Sequence, residues 1–574
     1  MIINKIKLRV DVRAKLNRVL CLVSLILLAC CLANVSAQQK ETAKAQVFLN
    51  TAIKKAYPAS VRIWGFDTEK NERTSAQFSG VVVSEDGIIL TAAHTIMPGR
   101  TYKVFFPDGR EAIAKALGRI DLEAAPGTPD AGMMQLLDKG PFPFVEMGLS
   151  SLLKKNEPCI SISYPEKINL ILPTLRYGQI GEVKNEYGFI RSTCKMEPGD
   201  SGGALFDQFG RLIGIHSAID VAEDQNFEIP IDVYRKYWTA LHEVINYSKY
   251  PIKEDNYSPS TSNFTDKAIS VDAIIAKKAI KLAKLKNAVS SLTSVIDGLE
   301  SEAIGTIINY ISIEKTTQQF ILSKNSIVGN LPTLNVDGLK VPLQIVKRDL
   351  QNDLILLKAD KNLKGGVSIN SNQNVDIKLG EIVTAVLPNG KYQNGMIGNE
   401  TLTLEKNSSI PYLGASVLFK SSPAAVTVVK PGSPAALAGI QTGDFITSIN
   451  STTIRQANEV APELAKYWAG EEVKIDWLRA GQKYAKSIKL VNKPFIASKH
   501  PVDKFIGGSS ERRDGFKQTF TFDAISLPKQ SGAPVFSLDG QFLGINIARY
   551  SRAVSLGIPR SVILDFLKEI PSQR

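Results

Sequence analysis

In Glu197-Pro198-Gly199-Asp200-Ser201-Gly202-Gly203-Ala204 a serine stands among glycines. A serine hydroxyl is a weak nucleophile at neutral pH. Using one requires a sharp turn that exposes the side chain and aims backbone N–H groups at the oxyanion it creates. Glycines on both sides permit the φ angles and close backbone approach of such a turn. On this reading the N–H groups of Gly199 and Ser201 form the oxyanion hole. A Gly-Asp-Ser-Gly-Gly run alone serves equally as an ordinary loop turn, so a base and an orienting acid must be found elsewhere.

The chain has four histidines, His94, His216, His242 and His500. His94 closes the run Gly80-Val81-Val82-Val83-Ser84-Glu85-Asp86-Gly87-Ile88-Ile89-Leu90-Thr91-Ala92-Ala93-His94. Two apolar segments joined by Asp-Gly read as a β-hairpin whose second strand delivers the histidine to a barrel edge. The acid candidate is Asp130, directly ahead of the apolar segment Ala131-Gly132-Met133-Met134. Asp121 is a weaker alternative because it lies further from that strand. Singly, such a histidine is commonly an edge residue and such an aspartate a turn residue. Together, the order His, Asp, Ser is one of the known chain orders of a Ser/His/Asp triad.

Thr91-Ala92-Ala93-His94, Asp130 and Gly199-Asp200-Ser201-Gly202-Gly203 resemble the trypsin-like serine endopeptidases, and within them the Deg/HtrA group. Phe227-Glu228-Ile229-Pro230 before a helical tail resembles the end of that group's protease domain. The resemblance implies that His94 is the general base, Asp130 its orienter and Ser201 the nucleophile. Asp200 departs from the group, which usually carries Asn there. Glu228 stands where relatives usually have a small residue. It is either a specificity-pocket carboxylate favouring basic side chains or, as we expect, an exposed strand carboxylate.

A chain of 574 residues accommodates three to four domains, and 44% hydrophobic with 22% charged residues is ordinary globular composition. Residues 1–37 carry Lys5, Lys7, Arg9, Arg13, Lys15 and Arg18 against Asp11, then an apolar run and the small residues Val35-Ser36-Ala37. That is the pattern of a signal peptide. Its removal leaves +8 of the formal +13 charge, spread mostly as lysines along the chain. The expected location is the bacterial periplasm or cell envelope. Leu27-Leu28-Ala29-Cys30 also resembles a lipobox, so membrane attachment through lipidation of Cys30 is the rival to simple cleavage. Of the five cysteines only Cys159 and Cys194 follow the targeting segment, as one disulfide or as two buried thiols. No Cys/His spacing suggests a metal site, no cofactor motif is found, and no basic, aromatic-interleaved motif suggests nucleic acid.

The expected fold is mainly β: two trypsin-like double β-barrels in tandem, the second degenerate and carrying an inserted PDZ domain. Residues 38–250 are read as the active protease domain, opened by a short helix near 42–57 and closed by a helix over 231–248. Residues 251–269 are a linker. Ser531-Gly532-Ala533-Pro534-Val535-Phe536 through Gly544-Ile545 aligns without a gap on Ser201 to Gly214-Ile215, which marks an internal repeat over 270–405 and 495–574. Its triad counterparts are read as Asn325, Asp353 and Ser531. A neutral amide cannot take the serine proton, so this copy is expected to lack protease activity.

From Asp130 to Ser201 is 71 residues, whereas from Asp353 to Ser531 is 178. The surplus contains Pro411-Tyr412-Leu413-Gly414-Ala415 and Lys430-Pro431-Gly432-Ser433-Pro434, which resemble a PDZ domain of the Deg/HtrA type over 406–494. The resemblance implies that Tyr412, Leu413, Gly414 and Ala415 receive peptide C-termini, a peptide adding as an extra strand. The leading expectation is an extracytoplasmic serine endopeptidase that cleaves misfolded or specific envelope proteins through an acyl-enzyme. The alternative is a protease-like scaffold or chaperone that binds protein ends. Expected partners are protein or peptide substrates, and the resemblance is compatible with a homo-oligomer.

Overall fold

The structure, a computed structural model, describes residues 45–122, 129–169, 171–257, 271–494 and 500–568. The targeting segment, with Cys30, and linker residues 258–269 lie outside the described residues.

After a helix over 45–56, seven strands between Ser60–Asp67 and Asn246–Tyr247 curl into a first sheet. The strand Thr101–Phe105 alternates buried and half-buried residues, whereas the strand Ile88–Ala92 is buried throughout. The hairpin before His94 closes at Gly87, whose φ of 94° only glycine adopts readily, and Val83 N–H reaches Ile88 O at 2.8 Å. Six further strands, from Pro158–Ser163 to Asn226–Pro230, form a closed barrel. The expected single helix over 231–248 is instead two short helices, Ile231–Lys236 and Trp238–His242, followed by the strand Asn246–Tyr247 parallel to Glu111–Ile120. Glu243, at ψ 141°, has already left helical geometry.

A second pair repeats the plan. A helix, Val271–Leu282, precedes a seven-stranded sheet, and then comes a closed six-stranded barrel of the same circular strand order as the first. Between two neighbouring strands of that barrel, Tyr392–Leu404 and Phe516–Phe522, the chain leaves to build a separate six-stranded unit around Leu413, Ile446, Val473 and Trp477. Both crossings are tied together: Asp514 accepts the N–H groups of Asn407 at 3.1 Å and Ser409 at 2.9 Å. Trp468 of the inserted unit lies between Lys406 Nζ and the Arg512 guanidinium, 3.5 and 3.4 Å from its ring centre.

The two pairs meet through equivalent parts. The strand Thr174–Glu182 packs against its counterpart Tyr392–Leu404, with Thr174 Oγ1 donating to Asn399 Oδ1 at 3.1 Å. Gln46 of the first helix donates to Gly380 O at 2.7 Å and accepts from Ile382 N at 3.1 Å. Reciprocally, Asp272 of the second helix accepts the Tyr177 hydroxyl at 2.8 Å. Leu49 and Ile53 share one buried cluster with Val271, Ile275, Ile382 and Met396 of the second pair.

Candidate active site

His94 sits on a one-turn helix, Ala93–Thr95, at the end of the strand Ile88–Ala92. Asp130 lies just before Ala131–Leu136, which pairs with that strand in a register setting Ala131 opposite Ala92. The pairing brings acid and base together without any long side-chain reach. Asp130 Oδ1 accepts the His94 backbone N–H at 2.8 Å, and Oδ2 lies 2.6 Å from His94 Nδ1. Ser217 Oγ donates to the same Oδ2 at 2.7 Å. With Nδ1–H committed to the carboxylate, Nε2 is the nitrogen available as a base. The crowded surroundings disfavour the imidazolium, but the hydrogen bond and charge of Asp130 outweigh this and raise the His94 pKa above 6.5. Asp121 faces Arg119 at 3.6 Å instead.

Ser201 and His94 line one cleft of 510 Å³, with Gln77, Met196, Pro198, Gly199 and Ala218 on its walls. His500 and Pro501, from the segment after the inserted unit, complete its rim. The serine turn is clamped by the first sheet: Ser79 N–H donates to Ser201 O at 2.9 Å, and Ser79 Oγ donates to Gly199 O at 2.8 Å. Gly199 has φ 96°, and a Cβ there would stand 2.6 Å from Tyr164 O. Pro198 O is turned outward, accepting Glu166 N–H at 2.8 Å. Among the described residues no acceptor takes the N–H of Gly199 or Ser201, so both remain for an oxyanion.

Asp200 is fully buried. It accepts from Arg176 Nη1 at 2.8 Å, Ser163 Oγ at 2.8 Å and Glu197 N at 2.7 Å. Burial alone would lower the Arg176 pKa, but Asp200 and Glu197 raise it. Arg176, Ser217 and Glu166 carry no motif, and sequence reasoning missed all three; only the folded barrel brings them to the turn.

Two sequence expectations need correction. Glu228 is neither exposed nor on the cleft wall: it is fully buried, accepts Ser192 Oγ–H at 2.5 Å and lies 3.5 Å from His216 Nδ1. Burial pushes its carboxyl pKa well up, and burial pulls that of His216 down to about 3. It faces inward because it pairs with His216 and Ile190 on both sides of a closed barrel. Cys159 and Cys194 are the left-open pair, and they stand as buried free thiols with sulfurs 3.8 Å apart.

The second correction concerns the second pair, where Ser326, not Asn325, holds the place of His94. Asn325 N–H donates to Asp353 O at 2.8 Å, as Ala93 N–H does to Asp130 O at 2.9 Å. Ser326 N–H then meets Asp353 Oδ1 at 2.7 Å and its hydroxyl meets Oδ2 at 2.9 Å, repeating the contacts of His94. Register decides this: Lys324 pairs with Leu354 as Ala92 pairs with Ala131. Asn325 Oδ1 instead takes Arg348 Nη1 at 2.5 Å. Ser531 is fully buried with no partner for its hydroxyl among the described residues, and its N–H is taken by Pro528 O at 3.1 Å.

In the inserted unit, Tyr412 pairs with Val491, N–H to O at 2.7 Å, and Ala415 opens a strand paired with Ala424–Val429. Leu413 is buried, and Gly414 takes φ 83°. These four residues therefore form the loop that leads into the edge strand Ala415–Val417.

Residues 78–215 match the trypsin-like peptidase domain and residues 425–479 match the PDZ domain. The chain is 29% identical over 205 residues to serine protease HTRA1 of Xenopus laevis, covering 34% of this chain and 43% of that one. It thus spans less than half the length of that relative. It is 24% identical over 405 residues to a protein of Brucella suis described as a probable periplasmic serine endoprotease DegP-like, 68% of each chain. It is 27% identical over 429 residues to a protein of the same description from Hahella chejuensis, covering 72% and 80%. Among solved structures, a serine endoprotease from Yersinia pestis aligns over 77% of this chain and 97% of its own at 17% identity, with a TM-score of 0.29.

Proposed function

We propose that this chain, a serine protease of the Deg/HtrA type with a PDZ domain, is an extracytoplasmic endopeptidase that cleaves misfolded or specific envelope proteins through an acyl-enzyme. The observation that carries the reading is one cleft lined both by His94, which Asp130 orients, and by Ser201, on a turn whose Gly199 and Ser201 N–H groups no acceptor takes among the described residues. In the reaction Ser201 Oγ attacks the scissile carbonyl as His94 Nε2 takes its proton. Asp130 holds the ring and favours the imidazolium, and Ser217 holds Asp130 in place. The N–H groups of Gly199 and Ser201 stabilise the oxyanion, and His94 returns the proton to the leaving amine. Water then repeats the sequence on the acyl-enzyme.

The envelope location rests on the targeting pattern of residues 1–37 and on the periplasmic description of the bacterial relatives. We read the second barrel pair as protease-like without activity: Ser326 supplies no base, and Ser531 is buried with its N–H occupied. Tyr412, Leu413, Gly414 and Ala415 are read as the peptide-binding loop, by which the inserted PDZ unit and the second pair receive protein ends for cleavage at Ser201. Labelling by a fluorophosphonate probe tests the core of this reading. The full chain is expected to label and Ser201→Ala to abolish labelling. A folded wild-type chain that never labels but still binds peptide C-termini would leave only the scaffold reading.

A further inference from the structure

The two serine turns are an internal experiment on one backbone. In the first pair Pro198 O points away to Glu166 N–H, and the serine N–H is unoccupied among the described residues. In the second, Pro528 stands at the same place three residues before Ser531, but its carbonyl turns inward and takes Ser531 N–H, closing a 3-10 turn over Pro528–Gln530. The turns differ in sequence, because Lys529-Gln530 stands where Gly199-Asp200 does and Lys529 does not share the left-handed φ of Gly199, and they differ in the contacts that hold them. The first is gripped on both sides by residues of the second pair.

On one side Glu197, buried and two residues before Gly199, accepts the N–H of Ala553 at 3.0 Å. On the other, the segment bearing Glu166 is anchored in the second pair. Lys167 O accepts the Tyr550 hydroxyl at 2.7 Å, and Ile168 is buried in the second pair's core. The neighbouring loop over 220–226 is held as well. Arg552 donates to Asp220 O at 3.1 Å and Ala222 O at 2.9 Å, and Glu223 takes Ile506 N–H at 2.9 Å and Arg549 Nη2 at 3.2 Å. Leu527, the counterpart of Glu197, has no carboxylate with which to make such a contact.

We propose that the second barrel pair is a built-in clamp that keeps the oxyanion turn of the first pair open, with Glu197 as the positioning residue that transmits its hold. Loss of the clamp lets the Pro198 carbonyl rotate inward, as Pro528 does, and fill the space an oxyanion needs. The chain thus supplies in cis the contact that sets its own active site. This inference rests on the serine-peptidase reading above and specifies how that site is kept competent.

The test uses the full chain in four forms: unmodified, Glu197→Ala, Glu197→Gln and the double variant Tyr550→Phe/Arg552→Ala, which leaves the first pair untouched. An oxyanion donor contributes about 10²–10³-fold to kcat. Glu197→Ala and the double variant are expected to slow fluorophosphonate acylation by about 10²-fold and to lower kcat on a peptide substrate with little change in KM. Glu197→Gln keeps a carbonyl acceptor for Ala553 N–H and is expected to restore most of the rate. Thermal melting identifies the folded variants, and if Glu197→Ala does not fold the double variant decides. Wild-type acylation rates in the folded variants overturn the clamp. An unmodified chain that never labels overturns the serine-peptidase reading itself, and the clamp with it.

Discussion

In the proposed mechanism Asp130 controls when His94 can act. A base works only without its proton, and the carboxylate 2.6 Å from Nδ1 holds that proton to higher pH than an ordinary imidazole would. The acid limb of kcat/KM is therefore expected above pH 6.5, with activity lost as pH falls through the raised His94 pKa. Asp130→Asn removes the charge and leaves the ring free to take the wrong tautomer, for which a loss of about 10⁴-fold is expected. A pH–rate profile on a peptide substrate checks both. An acid limb well below pH 6.5 in the unmodified chain would show that Asp130 does not govern this histidine. Glu228 makes the complementary point about residue type. It looks like a specificity determinant in sequence, yet it is sealed against Ser192 and His216 and reaches no substrate cleft.

The strand Thr174–Glu182 joins the serine turn to the second barrel pair. Its Arg176 is paired with Asp200 inside the barrel, both side chains 1% exposed. A neutral asparagine at this position would need no cation there; an aspartate does, because a lone buried charge is costly. Arg176→Ala should therefore cost about 3–5 kcal/mol of stability in urea unfolding. Arg176→Met with Asp200→Asn, which buries no charge, should cost markedly less. Equal losses in the two would show that packing, not charge, sets the penalty. Local patterns made the hairpin to His94, the acid ahead of Ala131, the serine turn and the PDZ insertion legible in sequence. Arg176 was not legible, because its meaning depends on a partner 24 residues away across a closed barrel. Asn325 misled for a related reason. The amide is the nearer chemical cousin of imidazole, but strand pairing, not chemistry, puts Ser326 against Asp353.

At the scale of the molecule, the two pairs associate as an isologous dimer would, equivalent strand on equivalent strand and each helix on the other pair. Such an arrangement makes neither half complete alone. Val271, Ile275, Ile382, Met396 and Leu538 of the second pair belong to the same buried cluster as Leu49, Ile53 and Leu175 of the first. At roughly 1.5–3 kcal/mol for each large apolar side chain buried, their removal forfeits on the order of 10 kcal/mol. That matches the whole stability of an ordinary domain, about 5–15 kcal/mol. The fragment 38–250 is therefore expected to be unstable or to self-associate through the uncovered face of Thr174–Glu182, although it holds all three triad residues. Analytical ultracentrifugation and thermal melting of the fragment beside the full chain decide the matter. A monomeric fragment that melts with the full chain and labels at its rate would mean that the second pair supports neither the fold nor the turn of the first. In that case the reciprocal helices would be a packing convenience and the two halves would be separable proteins.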